Sequence, residues 1–175
     1  MILETSRLIL RPIVESDAED IYEYSRNPIV GTNAGWKPHE SIEETREIMK
    51  TIFLNQATVW GISLKANPKI VGSAGLISDP KRENPHILML GYALGEPYWG
   101  NGYMTEAVLE ICRYGFQELN LDAISAYIFP FNDRSRNVLK KAGFQREGSL
   151  KKVELAWNDA RPLDNECFLL ENTSF

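Results

Sequence analysis

The chain has few of the residues that build metal centres and disulfide frameworks. It contains only two cysteines and two histidines in 175 residues, and Cys112 and Cys167 lie far apart in apolar segments. Isolated thiols in such surroundings are usually buried. We therefore expect two unpaired thiols, no metal site and the reducing environment of the cytoplasm.

Long apolar runs and an excess of positive charge are also missing. No apolar segment approaches the roughly 20 residues of a membrane-spanning helix, and the first residues lack the pattern of a secretion signal. The formal net charge is −5, whereas nucleic-acid binders usually carry a basic surface. We therefore expect neither a membrane nor a nucleic acid as partner.

The composition is that of a globular protein, with 43% apolar and 25% charged residues. These values are ordinary, and the length allows a substantial core, so residues 1–175 are expected to form one domain. Hydrophobic periodicity predicts the order strand, two helices, three strands, helix, strand, helix, two strands. This order indicates an α/β (α+β) fold, with a mostly antiparallel sheet of about six to seven strands flanked by four helices.

Helix boundaries in the first third of the chain are predicted from local signals. Ser16 with Glu19 and Ser41 with Glu44 have the spacing of capping boxes, which open helices. The segment between these helices, Asn27–His39, is rich in Asn, Gly and Pro and is expected to be a loop.

The most informative segment is Tyr98–Ala107, which reads YWGNGYMTEA. Gly100 and Gly102 lie between an apolar strand that ends at Leu94 and a helix that starts near Tyr103. Glycine tolerates positive φ and lets the backbone approach a ligand closely, and amides at a helix N-terminus bind anions. The segment therefore predicts a site for a phosphate-bearing cofactor.

Three interpretations of the two glycines compete. A Walker-type loop needs Lys and Ser/Thr after its last glycine, but Tyr103 and Met104 follow here, which excludes it. A dinucleotide fingerprint needs a third small residue where Thr105 stands, within a βαβ unit, and the preceding strands are predicted to be antiparallel. Taken alone, Gly100-x-Gly102 is equally compatible with a structural tight turn.

Two further segments favour an acyl-CoA loop. Residues 132–144 read NDRSRNVLKKAGF, and their combination with the glycine loop resembles the GNAT superfamily of N-acetyltransferases, whose motif Gln/Arg-x-x-Gly-x-Gly/Ala is followed by Asn and a terminal Gly-Phe. Residues 4–12, ETSRLILRP, and residues 161–164, RPLD, resemble the RimJ/RimL-type branch, which acetylates N-termini of ribosomal proteins. The resemblance spans nearly the whole chain.

The resemblance implies acetyl-CoA as cosubstrate, bound between two central strands that splay apart and end near Leu94 and Phe129. Its pyrophosphate would rest on amides of the glycine loop, and a backbone N–H near Leu94 would polarise the thioester carbonyl. The cofactor-binding residues that the resemblance implies are Leu94, Gly95, Trp99, Gly100, Asn101, Gly102, Tyr103, Met104, Asn132 and Ser135.

The resemblance also implies Ser135 as the catalytic group that protonates the departing thiolate. Its alternative role is to cap the helix that follows, and Asn132, expected to bond the pantetheine chain, is alternatively a turn residue. The sequence departs from the family at three positions. Leu139 and Met89 occupy the places of the usual acid and base, and Pro97 replaces the Gln or Arg of the motif.

Trp36 and His39 lie in the loop that shapes the acceptor entrance in this family, so they are expected to bind the substrate. The alternative is a Trp packed on the domain and a solvent-facing His. The expected reaction is direct acetyl transfer to a primary amine in a ternary complex, with a protein N-terminus as the leading acceptor. One alternative is an enzyme that acetylates a small amine such as an amino acid, polyamine or aminoglycoside. The other is a non-catalytic acyl-CoA-binding module. The resemblance is also compatible with a homodimer.

Overall fold

The structure, a computed structural model, describes residues 1–155, 157 and 161–173. The strands in this part of the chain are β1 (Leu3–Glu4), β2 (Leu8–Arg11), β3 (Val59–Leu64), β4 (Asn67–Ser78), β5 (Ile87–Leu94), β6 (Ala123–Ile128), β7 (Gln145–Leu155) and β8 (Pro162–Glu171). The helices are α1 (Ala18–Ser25), α2 (Pro28–Ala34), α3 (Ile42–Ile52), α4 (Tyr103–Gln117) and α5 (Asp133–Lys141). Short 3-10 turns lie at Glu15–Asp17 and Glu96–Tyr98.

The eight strands in the described part of the chain form one sheet, in the order β1-β2-β3-β4-β5-β6-β8-β7. Neighbouring strands are antiparallel, except that β5 and β6 run parallel. Their pairing covers only Ile87–Met89 and Ala123–Ser125, after which the two strands separate. The mixed, mostly antiparallel sheet with splayed central strands is confirmed, and the two-residue strand β1 makes it one strand larger than predicted.

Helices cover the sheet through two apolar clusters. Consecutive residues of a strand point to opposite faces, and accordingly Ile70 packs with α1 and α3 whereas Val71 packs with α4. On α4, residues at helical spacing are buried, among them Val108 and Ile111. No helix in residues 1–155, 157 and 161–173 is long and apolar enough to cross a membrane.

The predicted loop Asn27–His39 contains a helix, α2, and the prediction of an irregular segment was wrong there. The Asn27 side chain caps it by accepting the Ile29 N–H at 3.0 Å, and Pro28 occupies its first position, where no N–H is needed. Gly35 ends it with a φ of +88°. The residues that suggested a loop are therefore the start and stop signals of a short helix.

One of the two predicted capping signals opens a helix, although not as a reciprocal capping box. The Ser41 hydroxyl accepts the Glu44 N–H at 3.0 Å and opens α3, whereas the Glu44 carboxylate accepts the Glu40 N–H at 2.5 Å. At the other position the prediction was wrong, because α1 begins at Ala18 after Asp17 rather than after Ser16. The Asp17 carboxylate instead accepts the Val14 N–H at 2.9 Å.

Candidate active site

A cavity of about 580 Å³ opens where β5 and β6 separate. Residues 89–94 and 126–129 form its strand walls, and α2, α5 and the end of β7 complete it. The following predicted cofactor-binding residues line it: Leu94, Trp99, Gly100, Gly102, Tyr103, Met104, Asn132 and Ser135.

Gly95 and Asn101, the other two predicted cofactor-binding residues, are outside the cavity lining and have structural contacts. The Gly95 N–H donates to the Val71 carbonyl on β4 at 2.8 Å. The Asn101 side chain donates to the carbonyls of Tyr98 and Trp99, at 3.2 and 3.1 Å. Both residues therefore shape the loop that carries the neighbouring lining residues.

The cavity is bordered by main-chain groups of β5. Because the Gly95 N–H bonds to β4, alternation along the strand turns the main-chain groups of Tyr92 and Leu94 to the opposite edge. β6 has already diverged at this level, so these groups face the cavity. The Leu94 carbonyl accepts the Trp99 indole N–H at 2.7 Å. An extended ligand with amide groups can pair with this edge as an added strand would.

The glycine loop has the geometry of an anion site. Gly100 and Gly102 both have a φ of +78°, a left-handed conformation that favours glycine. A Cβ at Gly100 would meet no described heavy atom within 4 Å, so this position faces open space. Gly102 precedes α4 and has no side chain to cap it, which leaves the first-turn amides and the positive end of the helix dipole for a ligand.

Two cations from α5 stand beside this loop. Arg134 and Lys141 both line the cavity, and the Arg134 guanidinium lies 4.7 Å from the centroid of the Trp99 ring. Their charges add to the helix dipole, so this side of the cavity attracts anionic groups.

The N-terminal segment is fastened to the same loop through Glu106, in the first turn of α4. The Glu106 carboxylate accepts the Thr5 and Ser6 hydroxyls at 2.5 and 3.0 Å and the Arg7 N–H at 2.9 Å. It also pairs with the Arg7 guanidinium at 2.7 Å. Arg7 donates in turn to the Asn101 carbonyl at 3.0 Å. Part of the N-terminal motif thus holds the glycine loop in place.

This clamp predicts an acid-sensitive contribution to stability. Burial raises the pKa of Glu106, but hydrogen bonds from Thr5, Arg7 and Ser6 outweigh it and hold the pKa at about 2, below the ordinary 4.5. A carboxylate with a depressed folded-state pKa stabilises the fold above its unfolded pKa. Its contribution is lost as the pH falls from 4.5 towards 2. We expect Glu106→Gln to lower the thermal unfolding midpoint at pH 7 and to lower it much less at pH 3.

The control for this clamp is Glu47→Gln on α3, where the exposed Glu47 pairs with its exposed helix neighbour Lys50 at 2.7 Å. Exposed ion pairs of this kind contribute little to folding stability. The thermal unfolding midpoint of the control variant should therefore equal that of the unmodified protein at both pH values. A destabilisation by Glu106→Gln that is equal at pH 7 and pH 3 would contradict the assignment.

Ser135 is buried and forms a pair with a tyrosine. Its Oγ lies 2.6 Å from the Tyr92 phenol oxygen, and burial raises the pKa of Tyr92 well above its usual range. Both hydroxyls therefore carry protons at neutral pH. Tyr92, which the sequence analysis did not include, joins the site because its strand position turns it towards α5.

The alternative role of Ser135 as a helix cap is wrong. Asn132 caps α5, because its Oδ1 accepts the Ser135 N–H at 3.0 Å. Its Nδ2 donates to the Asn33 carbonyl on α2 at 2.9 Å. Asn132 thus lines the cavity and links α5 to α2.

A second polar group, the Glu154 cluster, comprises Lys81, Tyr127, Glu154 and Asn165. Glu154 is the only carboxylate among the described cavity-lining residues. It accepts the Asn165 Nδ2–H at 3.0 Å, and Asn165 Oδ1 accepts the Lys81 ammonium at 2.5 Å. The Lys81 ammonium also lies 4.1 Å from the centroid of the Tyr127 ring. This cluster joins four separate segments of the chain, and no local motif predicts it.

The structure does not bring Trp36 or His39 to the cavity, whose lining in the described residues includes neither. His39 is buried, with Nδ1 2.9 Å from the Thr45 hydroxyl oxygen, and burial lowers its pKa. Trp36 packs against the apolar cluster of α1 and α3. The lining from this region comes from α2, through Val30, Asn33 and Ala34.

Comparison with known proteins agrees with this site. A family model described as an acetyltransferase (GNAT) domain matches residues 7–145. The uncharacterized N-acetyltransferase YoaA of Bacillus subtilis is 31% identical over 171 residues, which cover 95% of this chain and 94% of the relative. The ribosomal protein uS5-alanine N-acetyltransferase of Escherichia coli is 28% identical over 90% of this chain and 86% of its own.

Among solved structures, a GNAT-family acetyltransferase from Bacillus anthracis superposes with a TM-score of 0.85 at 26% identity, covering 98% of this chain and 99% of that chain. The resemblance inferred from the glycine loop and residues 132–144 is therefore confirmed. The chain belongs to the GNAT family of N-acetyltransferases, whose members use acetyl-CoA.

Proposed function

We propose that the protein transfers the acetyl group of acetyl-CoA to a primary amine, and that a protein N-terminal amine is its acceptor. The observation that carries this proposal is the composition of one cavity. Its lining combines a glycine loop with two cations, a pair of protonated hydroxyls and a single carboxylate. These are the groups needed to hold a diphosphate, to donate a proton and to accept one.

The glycine loop and α5 would hold the phosphates of acetyl-CoA. The open space at Gly100 and the uncapped start of α4 fit an anion, and Arg134 and Lys141 would supply positive charge. The pantetheine amides would pair with the exposed edge of β5. The Leu94 N–H would stabilise negative charge on the thioester oxygen during attack.

The hydroxyl pair and Glu154 would handle the protons. As the acceptor nitrogen forms its bond to the acetyl carbon, the carbon–sulfur bond breaks and the thiolate leaves. Ser135, bonded to Tyr92, would donate a proton to the sulfur, and Glu154 would take the proton that the nitrogen loses. General acid and base catalysis of this kind contributes about 10²–10⁴-fold each. With these groups in place, the reaction does not need an acid at Leu139, which is buried in the core, or a base at Met89.

An N-terminal amine suits this site because an α-amino group has an ordinary pKa of about 7.7–8.0. A sizeable fraction is therefore already neutral near pH 7.5, and one carboxylate suffices as base. The uS5-alanine N-acetyltransferase among the relatives acts on such an amine, which supports the same acceptor class here.

The proposal is tested by calorimetric titration with CoA, followed by thiol release from acetyl-CoA with peptides and small amines as acceptors. We expect CoA binding and turnover with at least one peptide bearing a free N-terminus. CoA binding without acetyl transfer to any acceptor would favour a non-catalytic acyl-CoA-binding module. Turnover with small amines alone would favour the small-molecule alternative.

We also expect Gly100→Val to weaken CoA binding at least about tenfold. A β-branched residue at positive φ costs roughly 1–2 kcal/mol, and its side chain would enter the space assigned to the phosphates. Gly148→Val is the control, because a Cβ at Gly148 also meets no described heavy atom within 4 Å but its φ is not left-handed. Equal affinity of the two variants for CoA would contradict the assignment of the loop.

A further inference from the structure

The Glu154 cluster holds one positive and one negative charge at a fixed separation. Both the Lys81 ammonium and the Glu154 carboxylate bond to the side-chain amide of Asn165, which is 1% exposed. Asn165 accepts from Lys81 and donates to Glu154, so its amide sets both the distance and the orientation between the two charges.

Lys81 is anchored from beneath by a buried carboxylate. Asp79 accepts the backbone N–H of Lys81 at 2.8 Å and the Tyr127 hydroxyl at 2.8 Å, and it also accepts the Ser125 hydroxyl at 2.5 Å. Tyr127 in turn presents its ring to the Lys81 ammonium. Lys81 is exposed at the mouth of the cavity, so its charge reaches a ligand from a defined position.

From this arrangement we infer that Lys81 and Glu154 together recognise an α-aminoacyl group, with Lys81 as a specificity-determining residue. The inference rests on the proposed function. Glu154 binds the acceptor ammonium and Lys81 binds the oxygen of the adjacent carbonyl or carboxylate. The Asn165 amide presents a nitrogen donor to Glu154 and an oxygen acceptor to Lys81. An α-aminoacyl group presents the same pair of atoms in the same order, one bond further apart, and so can reach the same two charges.

The same charges disfavour polyamines as acceptors. A polyamine carries several ammonium groups, and each needs a carboxylate or an aromatic face to replace its water. Glu154 is the only carboxylate among the described lining residues, and the nearby Tyr127 face is already occupied by Lys81. A second ammonium placed beside Glu154 would therefore meet the like charge of Lys81.

The test compares four acceptors: a peptide that begins with alanine, free alanine, propylamine and spermidine. Thiol release gives kcat/KM for the unmodified protein, for Lys81→Met and for the control Lys140→Met, an exposed lysine of α5 outside the cavity lining. We expect the unmodified protein to prefer an α-aminoacyl acceptor over propylamine and spermidine. Lys81→Met should lower that kcat/KM about tenfold or more, the weight of one charged hydrogen bond, and should lower the kcat/KM for propylamine by a clearly smaller factor.

The two α-aminoacyl acceptors distinguish the source of the oxygen. Preference for the peptide identifies a peptide carbonyl and supports both the inference and the protein N-terminal acceptor. Preference for free alanine identifies a carboxylate, which supports the inference but moves the acceptor class from a protein N-terminus to an amino acid. An equal loss with all four acceptors in Lys81→Met, or a preference of the unmodified protein for spermidine or propylamine, overturns it while the transferase proposal stands. Acetyl transfer to none of the four, with CoA bound, overturns both. CoA affinity and unfolding midpoint check that each variant is folded.

Discussion

Replacing Ser135 with alanine is expected to slow acetyl transfer about 10²-fold, within the usual range for loss of a general acid. The Ser135 hydroxyl lies 2.6 Å from the Tyr92 phenol oxygen and is assigned to protonate the thiolate. Without it, the leaving sulfur must take its proton from water. Single-turnover and steady-state rates of thiol release, measured at saturating acetyl-CoA, check this expectation.

The alanine variant separates chemistry from folding because Asn132, not Ser135, caps α5. The unfolding midpoint and the affinity for CoA should therefore change little. Tyr92→Phe should also slow the reaction, and the double variant should be faster than the product of the two single effects predicts, because the two hydroxyls act as one proton-donating unit. Ser149→Ala, an exposed serine of β7, serves as control. An unchanged rate in Ser135→Ala would show that a group other than Ser135 protonates the thiolate.

Replacing Glu154 with glutamine is expected to lower kcat/KM about 10²-fold at pH 7. Glutamine keeps an oxygen for the Asn165 N–H, so the cluster retains its shape while the base is lost. Up to about sevenfold of the loss should disappear as the pH rises above about 8, because only roughly a seventh of an α-amine is neutral at pH 7 and nearly all of it is neutral at pH 9. A pH–rate profile between pH 6 and 9.5 measures both effects.

Glu171→Gln, an exposed carboxylate at the end of β8, is the matched control for Glu154→Gln and should follow the unmodified profile. A loss in Glu154→Gln that stays the same across this pH range would show that the carboxylate does not deprotonate the acceptor ammonium before attack. A rate of Glu154→Gln equal to that of the unmodified protein at every pH would remove its role as base altogether.

The glycine-loop side of the cavity was predictable from the sequence because its signals are local. Gly100 and Gly102 carry the left-handed φ values that their residue type favours, and the helix that they precede was evident from its periodicity. Asn132 was assigned to this side as well, although its capping bond to the Ser135 N–H was not foreseen. Here the backbone conformation follows from neighbouring residues alone.

The acceptor side was not predictable, because strand register decides which side chains reach the cavity. The pairing of β7 with β8 shifts between Arg146 and Gly148, where β7 has one residue more than β8. A bulge of this kind reverses the face to which the following residues point. An alternating pattern therefore gave no indication that Glu154 points inward to meet Asn165. His39 was misplaced for a related reason, since its partner Thr45 lies on a helix whose packing no local signal specifies.

The short parallel pairing of β5 and β6 has a consequence for the whole molecule. Only three residue pairs between β5 and β6 join strands β1–β5 to strands β6–β8. The sheet therefore consists of two halves whose shared edge is only partly hydrogen-bonded. A ligand that bonds to β5 and rests on α4 and α5 would act as an additional crosslink between the halves. A ligand that binds only the folded state raises the free energy of unfolding. Bound acetyl-CoA would therefore stabilise the fold as well as supply the acetyl group.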